Sequence, residues 1–417
     1  MTSPAAARGP HAKKPELRAL TGLRAVAALA VVLSHTGIPR NAPEPLHHLV
    51  AWGYIGVPLF FLLSGFVLAY NYPQLHFHDR RRTVLFYIAR VARVMPLYWV
   101  MVAYCVVYYF AIGHEQYHGA LLQNLLAVQT WGPDVDAALN YYNGPGWSIG
   151  VELFFYLLFP FVAPLVARIA RRWSVRGLVA VIAAATLALV LVWAYFVLTG
   201  RAELPSKDPG SAHRWLYRNP LPHLAEFVTG LALAHLLPRL RQWPAAGHHV
   251  VQTVVVAYVL GLAMFRPITS QAVNSGSFGA LFLLPFALGI LSLASGQGWL
   301  ARWCSTRAMV ALGTASYALY ITHRWLVWQL SSGKVIQSAP GLRGYAALAV
   351  TLAVLLVVAE GAHRYVEVPA RRGIMTLTHR VLSRREARAN AANAANAEPS
   401  APPAEASAPR PVADARS

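Results

Sequence analysis

Ten apolar stretches of close to twenty residues recur along the chain, and this recurrence limits its possible folds more than any other feature. A helix of that length spans the hydrocarbon core of a bilayer. Backbone in lipid must also bond to itself, which a helix achieves within one segment. The stretches lie at 20–37, 53–70, 94–112, 146–167, 178–199, 220–237, 248–265, 278–295, 311–330 and 344–362. The expected fold is therefore an all-α, polytopic membrane protein with about ten transmembrane helices. Composition agrees: of 417 residues, 56% are hydrophobic and only 12% are charged. An average soluble domain carries about 25% charged residues. The charge is too sparse to cover a soluble enzyme of this size, and the apolar content excludes a disordered chain. The two cysteines, Cys105 and Cys304, lie in or beside apolar runs. Two so placed form neither a disulfide framework nor a CxxC metal site, and read as inert core residues.

Lys and Arg total 36 against 16 Asp and Glu, a formal net charge of +20. The basic residues fall in short clusters between the apolar runs, so the excess reads as membrane topology and not as a nucleic-acid footprint. With a cytoplasmic N-terminus, 26 of them fall inside and eight outside, while Arg24 and Arg324 lie within stretches. That asymmetry places both termini in the cytoplasm. The segment 113–145 has no Lys or Arg and reads as outside. Lys13, Lys14 and Arg18 precede the first stretch, but no small-x-small cleavage site follows it, so it reads as an uncleaved signal anchor. The expected organisation is a cytoplasmic tail at 1–17, a transmembrane domain at 18–375 and a second tail at 376–417. That second tail begins basic; from about 386 it lacks hydrophobic periodicity and reads as disordered.

Ionisable residues inside spans are costly and point to function. Arg24 and His35 are 11 residues apart on the first stretch. At about 100° per residue they share a face, separated by roughly 16 Å along the axis. A cation near the inner end and an imidazole in the outer half suit a long ligand, anionic at one end and reactive at the other. The alternative is that Arg24 snorkels and His35 caps. Arg90 and Arg93 lie on adjacent parts of one helical face, immediately before Met95-Pro96-Leu97-Tyr98-Trp99. Paired guanidiniums bind phosphate oxygens well, although inner-face charge alone would also place them there. Gly144 through Glu152 opens the fourth stretch, with Trp147 and Ser148 near its mouth. Glu152 lies about two turns in, at a depth read as similar to that of His35, where it would orient a base, bind a sugar hydroxyl or bridge structurally. His323 falls in the outer half of the ninth stretch, where an active or a packing role is equally open. His223, Glu226 and His235 are close enough in sequence to pair locally. In the second stretch, Gly56 and Gly65 suit close packing and Pro58 a kink. No cluster has metal-ligand spacing.

These pieces together resemble the membrane-bound acyltransferase-3 family. The matching motifs are Leu20-Thr21-Gly22-Leu23-Arg24 with His35, and Gly56-Val57 with Phe60-Phe61 and Ser64-Gly65-Phe66. Next come Arg90-x-x-Arg93 leading into Pro96-x-Tyr98-Trp99, and Trp147-Ser148 with Glu152 and Phe155-Tyr156. Ser316-Tyr317 through His323 and Val366-Glu367-Val368-Pro369 complete the order, over about 17–375. The resemblance implies a ten-helix enzyme of the cytoplasmic membrane that moves an acyl group from acyl-CoA to a hydroxyl, usually on a carbohydrate. It implies functional roles for Arg24, His35, Arg90 and Arg93. It further implies a stand-alone member without an SGNH-type domain, acting on surface polysaccharides, glycolipids or glycosylated antibiotics. Acyl-CoA is then a co-substrate, with no bound cofactor or metal and no nucleic-acid partner. His35 and Glu152 are the expected catalytic residues; Arg24, Arg90, Arg93, Trp147, Ser148 and His323 are expected to bind substrate. A transporter or flippase would also bury such charges, but no inverted repeat supports one.

Overall fold

Every regular element among the described residues is helical, as backbone removed from water requires. The structure is a computed structural model that describes residues 15–113, 118–132, 134, 137, 142–265, 279–330, 332–339 and 341–396. It begins with α1 (Arg18–Thr36), α2 (Glu44–Ala51), α3 (Gly56–Asn71) and α4 (Arg80–Ala111). Short α5 (Leu121–Leu125) precedes the long α6 (Gly146–Leu198). Then come α7 (Leu224–Leu240), α8 (Ala245–Phe265) and α9 (Leu283–Ala294). Three short helices follow: α10 (Trp299–Cys304), α11 (Arg307–Thr314) and α12 (Ser316–Gln329). The last are α13 (Ser332–Ser338), α14 (Leu342–Ala362) and α15 (Val368–Asn396).

All ten apolar stretches coincide with helix, and six helical segments are long and apolar enough to cross a membrane. The chain is an all-α, multi-pass membrane protein. Two of the other stretches correspond to the shorter α7 and α9. The stretch at 311–330 divides into α11 and α12 at Ala315. The stretches at 146–167 and 178–199 are not joined by a loop: α6 runs through both and bends at Ser174, whose φ is +52°. There the Arg239 guanidinium donates to Ser174 Oγ at 2.7 Å.

Two further expectations change. Pro58 does not kink a helix: it sits in the first turn of α3, where its missing N–H costs nothing. Helix α15 continues to Asn396, past the point where the sequence reads as irregular tail. Its last part is rich in alanine, the strongest helix former, which needs no buried face to stay helical. Residues 397–417 lie outside the described residues, as does part of the 113–145 segment. The chain divides into two compact units, residues 1–371 and 372–417.

Helix α1 runs through the middle of the first unit, packed against α3, α11 and α12. Its buried residues Ala25, Ala27, Ala28, Val31 and Val32 are small, so neighbouring helices approach closely. Helices α3 and α7 meet backbone to backbone: a Cβ on Gly65 would overlap the Phe227 carbonyl, and one on Gly230 the Leu62 carbonyl. This close pairing fixes one wall of the cavity described next.

Candidate active site

A cavity of about 500 Å³ opens among α1, α3, α4, α6 and α12. Four arginines line it: Arg24 from α1, Arg90 and Arg93 from α4, and Arg371. Arg90 and Arg93 are spaced i, i+3, so one face of α4 delivers both. The Arg90 guanidinium donates to the Tyr72 hydroxyl at 3.2 Å and lies 5.5 Å from that ring's centroid. Tyr156 approaches it from the other side, at 6.0 Å. Arg24 lies 6.0 Å from the centroid of Phe60. The buried Nε atoms of Arg24 and Arg90 have no hydrogen-bond partner. Opposing these four cations, the only carboxylate among the described lining residues is Glu152, which accepts a hydrogen bond from the Tyr156 hydroxyl. Like charges this close repel strongly where water is scarce. A polyanion with phosphate oxygens would relieve that repulsion and use the free donors.

His35 lies in the last turn of α1, where its ring meets that of His323, with centroids 5.0 Å apart. The hydrogen bonds fix the tautomers. His35 Nδ1 is 2.9 Å from the Val31 carbonyl, which only accepts, so Nδ1 carries the proton. The same N–H faces His323 Nε2 at 3.3 Å. His323 Nδ1 donates to the Tyr320 carbonyl at 2.6 Å, so its Nε2 is the accepting nitrogen. These bonds leave the lone pair of His35 Nε2 unused. A neutral imidazole with a free lone pair can accept a proton.

The structure brings Arg24, Arg90, Arg93, Ser148 and Glu152 to one cavity, and His323 to His35. Ser148 Oγ donates to the Tyr320 hydroxyl at 2.8 Å, tying α6 to α12 beside the cavity. It does not bring Glu152 to His35. The carboxylate faces the arginines, because it lies two turns inside α6 whereas His35 is in the last turn of α1. Trp147 is likewise not in the lining. One residue's rotation from Ser148 turns it into the core, against Tyr217 at 4.6 Å and Phe61 at 6.2 Å. His223 and Glu226 pair at 3.3 Å, fully buried and away from both cavity and His35. Sequence reasoning missed Tyr72, Tyr156 and Arg371. The first two carry no charge, and Arg371 was counted with the inner-face arginines although it follows the Val366–Pro369 motif by two residues.

The acyltransferase-3 family model, an acyltransferase domain, matches residues 17–359, most of the chain and all of the helices bearing Arg24, His35, Arg90, Arg93 and Glu152. The chain belongs to this family. It is a membrane-embedded acyltransferase. Acyltransferase MdmB of Streptomyces mycarofaciens is 31% identical over 379 residues, covering 85% of this chain and 92% of that one. The peptidoglycan O-acetyltransferase OatA of Listeria monocytogenes is 23% identical, over 85% of this chain and 55% of its own length. The putative peptidoglycan O-acetyltransferase YrhL of Bacillus subtilis is 25% identical, over 88% and 57%. The acyltransferase thus spans little more than half of these two peptidoglycan relatives and nearly all of MdmB. No solved structure matches it.

Proposed function

We propose that the protein moves an acetyl or other short acyl group from acyl-CoA to a hydroxyl of a carbohydrate-containing acceptor at the cytoplasmic membrane. Acceptors of this class are surface polysaccharides, glycolipids and glycosylated antibiotics. One observation carries the donor assignment: four arginines surround a cavity that holds a single carboxylate. The phosphates of CoA match that excess in charge and in hydrogen-bonding geometry. The excess of Lys and Arg on one side supports an arginine end at the cytoplasm, where acyl-CoA is made. Along α1, His35 stands about 16 Å from Arg24, within reach of a pantetheine arm anchored by its phosphates.

In this reading His35 Nε2 takes the proton of the acceptor hydroxyl as its oxygen attacks the thioester carbonyl. A C–O bond forms and the C–S bond breaks. The proton returns from the imidazole to the departing thiolate, which leaves as free CoA. His323 is a positioning residue that holds the His35 tautomer from the opposite side. Glu152 and Tyr156 hold the arginine cluster in place. The acetyl donor agrees with relatives named as O-acetyltransferases.

The test uses the full chain in proteoliposomes, with acetyl-CoA supplied on the arginine side. Release of CoA should depend on a glycan acceptor. Arg90→Ala combined with Arg93→Ala should raise the apparent KM for acetyl-CoA about a hundredfold, with Lys restoring it only in part. An unchanged KM in a correctly inserted double variant removes the donor site from this cavity. Movement of a glycoconjugate across the vesicle without consumption of acetyl-CoA overturns the enzyme in favour of a transporter.

A further inference from the structure

A second cavity, of about 450 Å³, opens near the His35 end of α1. Its lining includes Tyr109, Tyr142, Asn143, Arg324, Trp328 and Lys334. It approaches the imidazole pair: Arg324 directly follows His323, and Gly333 in the lining lies against the backbone carbonyls of His35 and Thr36. Tyr320, three residues before His323, lines the first cavity, so α12 carries His323 between residues of both linings.

We propose that this second cavity is the acceptor subsite, built to hold a sugar ring that carries an acidic group. The inference rests on the acyltransferase reading above and assigns the acceptor's place within it. Three independent features support it. The first is an aromatic platform. Trp328 packs on Tyr108 at 5.4 Å and on Tyr109 at 6.1 Å, while about half of its surface remains exposed. The faces of such rings are apolar and electron-rich, and suit the C–H faces of a pyranose.

The second feature is unmet hydrogen bonding. Tyr142 and Asn143 are each 3% exposed, yet the Tyr142 hydroxyl and Asn143 Oδ1 have no partner. Asn143 Nδ2 donates to the Ile321 carbonyl at 3.1 Å, which fixes the amide and leaves Oδ1 as a free acceptor. The neighbouring indole N–H of Trp325 is also buried without a partner. Buried polar atoms are rarely left unpaired. A ligand dense in hydroxyls supplies donors and acceptors to all three, whereas a lipid tail supplies neither.

The third feature is charge. Arg324 and Lys334 stand exposed in the lining, and among the described residues neither side chain is engaged in an ion pair or hydrogen bond. Among the described lining residues there is no carboxylate to offset them. Two free cations beside an aromatic platform select a uronate or another acidic sugar over its neutral counterpart.

Calorimetric titration of the full chain in phosphatidylcholine nanodiscs tests this. The probes are a hyaluronan tetrasaccharide, which is acidic, and N-acetylchitotetraose, which is neutral. At low salt the acidic probe should bind about tenfold more tightly, and the difference should shrink at high salt. Trp328→Ala should weaken both about tenfold, and Asn143→Asp should weaken the acidic probe further by placing a like charge in the site. Arg324→Gln with Lys334→Gln should remove the preference and keep neutral binding. Acetyl-CoA binding, measured in the same samples, should stay within twofold throughout and shows that each variant is folded. Absence of binding by both sugars at millimolar concentration, or binding that survives both Trp328→Ala and Asn143→Asp, overturns the subsite. Equal binding of the two probes overturns its acidic selectivity. Sugar binding by a protein that never binds acetyl-CoA refutes the donor reading instead.

Discussion

At the scale of single residues, the proposed chemistry concentrates on His35. Its shared face with Arg24 is legible in the sequence, because helical periodicity alone relates positions 11 apart. Its true neighbour is not. His323 lies 288 positions away, and only the packing of α12 on α1 brings the two rings together. Glu152 is the more attractive partner on paper because a carboxylate is the commoner companion of a base, but depth within a helix does not say which helix faces it. The two histidines should therefore behave differently. His35→Ala should abolish acceptor-dependent CoA release, a loss of at least about a thousandfold, with acetyl-CoA KM nearly unchanged. His323→Ala should lower kcat by about ten- to a hundredfold, and His323→Gln, which retains an accepting atom, should recover part of it. Equal losses in both alanine variants, with no recovery by glutamine, would show that His323 does more than position. Because the base must be neutral, the rate should fall on the acid side of the profile, as imidazole protonates.

At the scale of elements, the small residues of α1, α3 and α7 decide which helices touch. The sequence shows that Gly65 sits in an apolar run, but not that its counterpart is Gly230, since the pairing depends on tertiary register. Gly230→Val should prevent α3 and α7 from closing, with loss of the folded fraction on size-exclusion chromatography. Gly361→Ala on α14, where an added Cβ meets nothing within 4 Å, should leave elution and activity unchanged. The turn between α6 and α7 provides a different test. Burial, followed by the nearby Arg218 charge, pushes the His213 imidazole down from 6.5 to about 4. The unfolded chain thus binds a proton that the folded one refuses. Stability from this site is full above 6.5 and is lost progressively as pH falls towards 4. His213→Gln should flatten the decline in melting temperature over that window, and an unchanged slope would discard the assignment.

For the whole molecule, hydropathy and charge made the fold class legible, because lipid allows so few backbone solutions. The details that escaped, such as the bend of α6 at Ser174 and the division at Ala315, are places where a span boundary is not an apolar boundary. The expected orientation of the bundle rests on the 26 basic residues on one side against eight on the other. Lys207→Cys should react with an impermeant maleimide from outside intact cells, and Ser383→Cys only after permeabilisation. Both native cysteines are fully buried, so the background should be low. The reverse pattern would invert the molecule and place the arginine cavity away from cytoplasmic acyl-CoA.

The crowding of Arg24, Arg90, Arg93 and Arg371 around one carboxylate has a consequence beyond recognition. A protein that gathers so much like charge in a poorly hydrated space has an incomplete interior until an anion enters. Under the proposed donor assignment, the phosphates of acyl-CoA would act as a missing structural element, supplied and withdrawn in each cycle. Binding at a hundred times the dissociation constant adds about 2.7 kcal/mol to the folded state, so the enzyme should be firmest when charged with donor and loosest just after free CoA departs. Heat resistance of the purified protein should rise with CoA alone, acyl group or not, and that rise should vanish when Arg90 and Arg93 are both alanine. The resting enzyme would then register the supply of its own substrate as rigidity, before any bond is made or broken.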